Sequence, residues 1–172
     1  MRVFTIGHGT RSASELVETL RSATVETLVD VRRYPGSRRN PHFNRDALAE
    51  TLAAAGIAYV HEVDLGGRRS GEPGEERFGC IQTPAFRSYA TRMSQPPWQK
   101  AFERMLGSPS PCMLCAETPW WRCHRRLIAE LLAARGHEVV HLLRPHAAEP
   151  HRQWDEAEYL DGRLYLCGQL VA

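Results

Sequence analysis

The densest group of reactive side chains in the sequence lies between residues 111 and 126, where a thiol, a carboxylate, an imidazole and a guanidinium group follow an apolar run. These side chains belong to Cys115, Glu117, Cys123, His124 and Arg125. A thiol can act as a nucleophile or as a redox group, and a carboxylate or an imidazole beside it can move protons. The stretch therefore predicts a catalytic or binding site.

The elements that must position these side chains are a strand, a loop and a helix. The apolar run that begins at Pro111 is bounded by Thr118-Pro119 and is short enough for a buried strand, and apolar residues then repeat at helical spacing over 127–132. In a parallel α/β sheet, ligands bind beyond the carboxyl ends of the strands. The loop between this strand and this helix is thus expected at the ligand-binding edge.

Several roles remain open for the cysteines of this loop. Close to a helix N-terminus and beside His124 and Arg125, Cys123 is expected to have a lowered pKa, which suits a nucleophile or a redox thiol. Cys115, which precedes Glu117 by two positions, could be the partner of Cys123 in a reversible disulfide, the nucleophile itself or a small buried hydrophobe. For Cys112 the buried, inert role is favoured.

The spacing of the cysteines and the histidine argues against a structural metal. Cys112 and Cys115 would point to opposite faces of one strand. Cys123 and His124, as neighbours at a helix start, would diverge by about 100°. We therefore expect no metal, while a partial site from His8, Cys115, Cys123 or His124 at converging loop ends stays open.

Arginine is concentrated in a second stretch, after the second predicted strand. Between residues 30 and 45 there is one acid, Asp30, and there are five arginines, which are Arg32, Arg33, Arg38, Arg39 and Arg45. Guanidinium groups bind phosphate bidentately, and aromatic rings such as Phe43 offer stacking faces. The stretch predicts a site for a nucleotide or single-stranded nucleic acid, with an ordinary solvated face as the alternative. Asp30 could orient Arg32, act as a base or form a structural ion pair.

Composition places the chain among soluble single-domain proteins. It has 172 residues, of which 42% are hydrophobic and 24% charged, and its net charge of +2 is too small to indicate a nucleic-acid-binding protein by itself. Five cysteines, an odd number, and an N-terminus without a signal pattern predict a reducing cytoplasm. No apolar stretch approaches the roughly 18 residues of a membrane span.

Strand and helix patterns alternate along the chain. Strands are predicted from residue 2 to the Gly7-His8-Gly9 turn, over 27–32 and 57–63, from residue 111 and over 138–143, and helices over about 13–23, 46–55, 84–93, 98–106 and from about 124 to Gly136. This order predicts a single α/β domain over 1–172 with an open, mostly parallel five-stranded sheet, helices on both faces in a Rossmann-like three-layer arrangement, and a C-terminal edge hairpin near 162–167. The stretch 64–82 has little to bury and is expected to be a mobile lid or a flexible insertion.

Five short motifs follow one another along the chain. They are Thr5-Ile6-Gly7-His8-Gly9, Asp30-Val31-Arg32 with Pro35 and Ser37-Arg38, Leu65-Gly66-Gly67, Leu114-Cys115-Ala116-Glu117 and Cys123-His124-Arg125. This series of motifs resembles that of the domain of unknown function 488 family. The resemblance covers residues 1–145 and leaves 146–172 as a C-terminal extension. It implies a compact α/β domain with these motifs at one end of the sheet, and it implies no settled activity. This chain differs in having Gly9-Thr10 where a serine often follows the histidine, and in Trp120-Trp121.

The residues and the resemblance together predict an enzyme that acts on a phosphate-bearing substrate, either a nucleotide or a nucleic-acid base. The predicted catalytic residues are Cys115, Glu117, Cys123, His124, His8 and Asp30. The predicted anion-binding residues are Arg32, Ser37, Arg38, Arg125, Gly9, Thr10 and Phe43. No metal and no cofactor is assigned. The alternatives are a non-catalytic nucleotide-binding, nucleic-acid-binding or redox-sensing module and a metal-binding protein.

Overall fold

Strands and helices alternate along the first 144 residues. In the computed structural model, which describes residues 1–68 and 70–172, the strands of this part are β1 (Arg2–Gly7), β2 (Thr27–Asp30), β3 (Ala58–His61), β4 (Pro111–Cys115) and β5 (Glu138–Arg144). The α-helices are α1 (Ala13–Ser22), α2 (Arg45–Ala54), α3 (Pro84–Met93), α4 (Pro96–Leu106) and α5 (Arg125–Ala134). The hydroxyl of Ser12 accepts a hydrogen bond from the Glu15 N–H, as expected of an N-cap residue.

The main sheet has six strands among the described residues, in the order β3-β2-β4-β1-β5-β6. Strands β1 to β5 run parallel, and β6 (Ala147–Pro150) pairs antiparallel with β5. The mixed α/β class and the mostly parallel sheet are confirmed, but the predicted number of five strands is wrong. The sixth strand follows a tight turn at Pro145-His146, where His146 has a positive φ of 58°, and its Ala-Ala-Glu-Pro sequence lacks the β-branched residues typical of strands.

The predicted C-terminal edge hairpin is replaced by a separate sheet. Strands β7 (Ala157–Leu160), β8 (Arg163–Leu166) and β9 (Gln169–Leu170) form a three-stranded antiparallel sheet. The turn between β7 and β8 is Asp161-Gly162, and both residues have positive φ, at 50° and 74°. Asp-Gly supplies the left-handed conformation that a two-residue hairpin turn requires.

The buried side chains of the parallel strands belong to two hydrophobic clusters, one on each face of the sheet. One contains Leu16 and Leu20 of α1, Leu48 and Leu52 of α2, and Cys112. The other contains residues of α3, α4 and α5 together with Cys115, Cys123 and the apolar residues of the second sheet. Cys112 and Cys115 therefore point to opposite faces of β4, as the two-residue period of a strand predicts.

The stretch 64–82, of which Arg69 lies outside the described residues, contains short helical turns and buried apolar side chains. It contains two 3-10 turns, Val63–Leu65 and Glu75–Phe78. Leu65, Phe78 and Ile81 are buried, and the Tyr89 hydroxyl donates a hydrogen bond of 2.7 Å to the Leu65 carbonyl. The expectation that this stretch has almost nothing to bury is wrong, because a few isolated apolar residues anchor it to the core.

A disulfide joins Cys80 to Cys167, with a sequence separation of 87 and a Cα–Cα distance of 5.7 Å. The other cysteines, Cys112, Cys115 and Cys123, are free and buried. Because disulfides are uncommon in reducing compartments, this bond weakens the inference of a cytoplasmic location from cysteine number. Within the described part of the chain, no helix combines the length and the apolar character needed to cross a membrane.

Candidate functional site

The site is built where three neighbouring parallel strands end. Strand β4 lies between β2 and β1, so the carboxyl ends of all three strands meet at one edge of the sheet. Backbone pairing continues past the strand ends, with the His8 N–H bonded to the Cys115 carbonyl at 2.9 Å and the Val31 N–H bonded to the Leu114 carbonyl at 3.0 Å. The three segments predicted to carry chemistry are therefore fixed next to one another.

A pocket of about 470 Å³ opens at this edge. The predicted site residues that line it are His8, Gly9, Thr10, Arg32, Ser37, Cys115, Glu117 and His124. The lining residues that were not predicted to act in the site include Arg33, Tyr34, Arg39, Gly67, Arg68, Phe86, Tyr89 and Arg122. The arginines of this second group were visible in the basic stretches of the sequence, but an irregular loop has no period that says which side chains face inward.

Cys115, Cys123 and His124 form what we call the cysteine–histidine cluster. Each offers one ligand atom, and the three atoms lie within 4.8 Å of one another. The expected divergence of Cys123 and His124 is wrong, because Cys123 precedes the helix in extended conformation, with φ −115° and ψ 151°, and His124 is the N-cap of α5. An extended residue next to the cap can turn its side chain toward β4, whereas a helical one could not.

The pKa values of the two thiols in this cluster are shifted in opposite directions. Burial would raise the pKa of Cys123, but a hydrogen bond from Cys115, the charge of Arg125 and a bond from the Arg125 backbone N–H outweigh burial and lower it. The pKa of Cys115 is held well above its ordinary value by the hydrogen bond to Cys123 and by burial. The pair therefore holds one proton on Cys115 and favours a thiolate at Cys123.

Arg125 lies beneath the pocket and stabilises the loop above it. Its guanidinium group donates to the Thr5 hydroxyl at 3.2 Å, to the Glu117 carbonyl at 2.6 Å and to the Thr118 carbonyl at 3.3 Å. Only 1% of the residue is exposed, and it is not among the residues that the structure places along the pocket wall. The predicted role of Arg125 in direct anion binding is thus not matched by its position, which suits it to balance the charge of Cys123.

Asp30 and Arg32 form a buried, doubly bonded pair. The Asp30 carboxylate accepts from Arg32 Nε at 2.8 Å and Nη2 at 2.6 Å, and also from the Arg32 backbone N–H and the Tyr59 hydroxyl. Arg32 Nη1 donates to the Phe43 carbonyl at 2.9 Å. A carboxylate with four donors is well suited to orient the arginine and poorly suited to accept a proton from a substrate. Asp30 therefore acts as a positioning group in this geometry.

His8 is held in one tautomer at the pocket wall. Its Nδ1 lies 2.9 Å from the Gly9 carbonyl, which can only accept, so Nδ1 carries the proton and Nε2 is the acceptor. Burial lowers the pKa of His8, which keeps the ring neutral near pH 7. The ring stacks on Phe43 at a centroid distance of 4.4 Å, so Phe43, predicted as a ligand-stacking residue, is buried behind His8 instead.

The remaining predicted residues divide between the pocket and the surface. Glu117 is an exposed residue of the pocket wall, and the Ser37 hydroxyl accepts from the Asn40 N–H at 3.0 Å while the residue lines the pocket. Arg38 is exposed and is not part of the pocket wall among the described residues, where Arg39 stands in its place. The predicted role of Arg38 therefore does not agree with the geometry.

The backbone of the Leu65-Gly66-Gly67 motif packs closely against His124 of the cysteine–histidine cluster. A Cβ atom on Gly67 would lie 2.6 Å from His124 Nδ1, and one on Gly66 would lie 2.8 Å from the Arg33 backbone. Both distances are shorter than real contacts allow, so only glycine permits this approach. The motif thereby connects the stretch after β3 to the histidine of the cluster.

Comparison with known families agrees with this arrangement of motifs. No match to the chain was found among curated proteins or among solved structures. One family model, described as a domain of unknown function, DUF488, matches residues 12–132. The matched range contains the arginine-rich loop, the glycine motif and the cysteine–histidine cluster. It is shorter than the predicted 1–145 and leaves outside the first motif, with His8, and strands β5 to β9. Because the match covers more than half of its residues, the chain belongs to the DUF488 family.

Proposed function

We propose that this protein is an enzyme that binds a small phosphate-bearing molecule, such as a nucleotide, in the pocket and acts on it with the side chains of the pocket floor. The observation that carries the proposal is the charge of the wall. Five arginines line the pocket, at positions 32, 33, 39, 68 and 122, and among the described lining residues Glu117 is the one acid. Guanidinium groups bind phosphate oxygens through paired, charge-assisted hydrogen bonds.

The shape of the site favours a small molecule over a polymer. Its volume of about 470 Å³ falls in the range of small-molecule pockets, and the net charge of +2 is small for a protein that follows a nucleic-acid backbone. At the rim, the Tyr34 ring is 62% exposed and carries the Arg33 guanidinium 5.0 Å above it. An exposed aromatic ring beside arginines offers a stacking face for a base next to a phosphate site.

Arg32 is the residue best prepared to hold the phosphate. Its bonds to Asp30 and Phe43 use three of the five guanidinium N–H groups. Two N–H groups on the terminal nitrogens remain for a ligand. Since the pair with Asp30 fixes the plane of the guanidinium before binding, little side-chain entropy is lost when an anion binds.

The enzymatic part of the proposal depends on the groups at the pocket floor. His8 Nε2 is an acceptor in the favoured tautomer, Glu117 carries an exposed carboxylate, and Cys115 and His124 reach the same cavity. Groups that can accept protons beside a bound anion are the components of general acid–base catalysis. A module that only binds a nucleotide would need the arginines but not this second set of groups.

Calorimetric titration with ADP and with inorganic phosphate tests the binding step. We expect Arg39→Ala to weaken ADP binding at least about tenfold, since one bond to a charged group contributes roughly 1.5–3 kcal/mol. Arg38→Ala is the matched control, because this arginine is adjacent in the chain and outside the pocket wall, and its affinity should stay within about twofold of the parent. Equal losses in both variants, or no binding by the parent protein, would contradict the proposal.

A further inference from the structure

We propose that the cysteine–histidine cluster is a binding site for a zinc-type divalent ion, with Cys115, Cys123 and His124 as three protein ligands and a fourth position open to the pocket. The inference goes beyond the proposed function, because the metal site does not require a phosphate-bearing ligand. Its starting point is the proximity of Cys123 and His124, which contradicts the expected divergence of their side chains at a helix start. Cys112, on the opposite face of β4, has no part in the site.

The ligand atoms lie close to the spacing that a tetrahedral ion requires. Zinc lies about 2.3 Å from sulfur and about 2.0–2.1 Å from nitrogen, so the ligand atoms of a tetrahedral site are about 3.4–3.8 Å apart. His124 Nδ1 and Cys123 Sγ are already 3.5 Å apart, and all three ligand atoms of the cluster lie within 4.8 Å of one another. Side-chain shifts of about 1 Å or less would complete the geometry.

The second nitrogen of His124 is bonded in the way that metal-binding histidines usually are. His124 Nε2 lies 3.0 Å from the Val31 carbonyl, which can only accept, so Nε2 carries the proton. Nδ1, the atom near Cys123, is then the nitrogen with a free lone pair. A backbone carbonyl that fixes the tautomer and the ring orientation is a typical outer partner of a ligating histidine.

Access to the site differs among the three ligands. Cys115 and His124 line the pocket, whereas Cys123 lies behind them with 1% of its surface exposed. An ion held by the three would have protein on one side and the pocket on the other. Three protein ligands with a position for water or substrate are typical of catalytic zinc sites, whereas structural sites have four protein ligands.

The charges around the cluster favour an anion in that fourth position. Two cysteine thiolates balance a divalent ion. The buried guanidinium of Arg125 donates to the oxygens of Thr5, Glu117 and Thr118 and also interacts with Cys123, so it adds one positive charge to the group. A hydroxide ion or an anionic substrate at the open position would make the group neutral. Because buried charge is stable only when it is compensated, the metal site and the arginine-lined pocket favour the same kind of ligand.

Cobalt(II) titration of the full-length, chelator-treated protein is the direct test. We expect saturation at one ion per chain, with the visible bands of tetrahedral cobalt and the near-ultraviolet thiolate-to-cobalt charge-transfer band, and competition by one equivalent of zinc. These spectra report sulfur ligation in the unaltered protein and do not depend on whether any variant folds. Spectra of hexa-aqua cobalt only, or saturation without the charge-transfer band, would overturn the proposal.

Single substitutions then identify the ligands. Cys115→Ser, Cys123→Ser and His124→Ala should each lower zinc affinity by at least about 100-fold. Cys112→Ala is the matched control, since this free thiol is on the same strand but in the opposite hydrophobic cluster, and it should bind one ion with unchanged affinity. Equal losses in the control and in the ligand variants would refute the assignment. ADP titration of the metal-free protein separates this result from the proposed function, because the arginine wall is intact there.

Discussion

Two groups of polar and ionisable side chains lie along helix α5, and they differ in whether they reach the pocket. The cysteine–histidine cluster at the start of the helix reaches the pocket. The second group, which we call the sealed network, is buried beside the helix and is made of Thr5, Glu130, His141, His151 and Tyr159. In the sealed network the histidines face a hydroxyl, a carboxylate and each other. In the cluster, two sulfur atoms and His124 Nδ1 lie within 4.8 Å of one another beside the pocket.

In the sealed network, the position of the Glu130 carboxylate determines which atom is the donor in each hydrogen bond. His151 Nε2 lies 3.3 Å from the Glu130 carboxylate, close enough for an ionic contact but without hydrogen-bond geometry, and a carboxylate there requires Nε2 to carry the proton. His151 Nδ1 then accepts from His141 Nε2 at 3.1 Å, and His141 Nδ1 accepts from the Thr5 hydroxyl at 2.7 Å. His141 therefore has one donor and one acceptor in use, and His151 accepts at Nδ1 while its Nε2 faces the Glu130 carboxylate.

Arg125 connects the two groups, since it donates to Thr5 and supplies charge to Cys123. The comparison indicates that burial and ionisable character alone do not mark a functional site. What distinguishes the cysteine–histidine cluster is that it offers atoms to a ligand in the pocket. We therefore expect substitutions in the sealed network to lower stability and substitutions among the residues of the pocket to lower ligand or metal binding.

The largest expected effect is that of Glu130→Ala in the sealed network. Glu130 is fully buried and accepts from the Trp154 backbone N–H at 2.9 Å and from the Tyr159 hydroxyl at 2.5 Å. Removing a buried charged partner should lower the free energy of unfolding by roughly 3–5 kcal/mol, measured by urea denaturation. Glu138→Ala is the control, because its pair with Arg2 is more than half exposed, and it should cost less than about 1 kcal/mol. Similar losses in the two variants would remove the distinction between the groups.

The second prediction concerns the pH dependence of stability. Burial, together with the charges of His151 and Arg125, lowers the pKa of His141 from 6.5 to about 3. The unfolded chain takes up this proton near pH 6.5 and the folded protein does not, so stability from this group is present above pH 6.5 and is lost as the pH falls toward 3. Between pH 7 and pH 4.5 the loss from His141 should be about 2–3 kcal/mol.

Denaturation of the parent protein and of His141→Gln at both pH values measures this contribution. The drop in stability should be smaller in the variant by the amount given. His146→Asn is the control, since this histidine is exposed and asparagine tolerates its positive φ, and its pH dependence should match that of the parent protein. A drop of the same size in His141→Gln would show that His141 is not the group responsible.

The parts of the fold that could be predicted are those with a local sequence pattern. Hydrophobic period and capping residues predict the five parallel strands and the helices, because each pattern is local. The antiparallel strand β6 was missed because its residues have low strand propensity and its pairing is set by a proline-containing turn. The Cys80–Cys167 disulfide was missed because cysteine pairing over such a separation cannot be deduced from spacing.

Within the site, the segments could be predicted but not the roles of their side chains. Parallel strands place His8, Arg32 and Cys115 at one edge whatever the loops do. The approach of Cys123 to His124 depends on where α5 begins, and its N-cap is a histidine without a side-chain capping bond, so the sequence has no clear signal for that boundary. Whether Arg38 or Arg39 faces the pocket depends on the conformation of the loop, which has no sequence period.

The third prediction sharpens the pocket side of the comparison. Gly67→Ala would place a Cβ atom 2.6 Å from His124 Nδ1, so the imidazole must move away from the cluster. Overpacking of this kind should lower the free energy of unfolding by about 1–3 kcal/mol and zinc affinity by about 10–100-fold. Gly36→Ala, where a Cβ atom meets nothing within 4 Å in the same pocket wall, is the control for both measurements. Unchanged zinc affinity in Gly67→Ala would argue against His124 Nδ1 as a ligand.

The smallest expected effect is that of Tyr59→Phe, which separates positioning from binding within the anion site. Its hydroxyl donates to Asp30 Oδ2 at 2.7 Å, and the carboxylate keeps its three bonds to Arg32 when the hydroxyl is removed. We expect urea denaturation to report a loss of about 0.5–1.5 kcal/mol in stability. Because the guanidinium plane stays fixed, ADP affinity should change by less than about threefold.

Asp30→Asn gives the contrasting result at the same site. An amide offers one acceptor oxygen in place of two and its NH₂ group faces a guanidinium donor, so the paired bonds to Arg32 cannot both form. ADP affinity should fall about tenfold or more, although neither Asp30 nor Tyr59 need touch the ligand. If Tyr59→Phe lowered ADP affinity as much as Asp30→Asn, the orientation of Arg32 would depend on the whole buried group, and the division between structural and ligand-binding atoms would not hold inside the pocket.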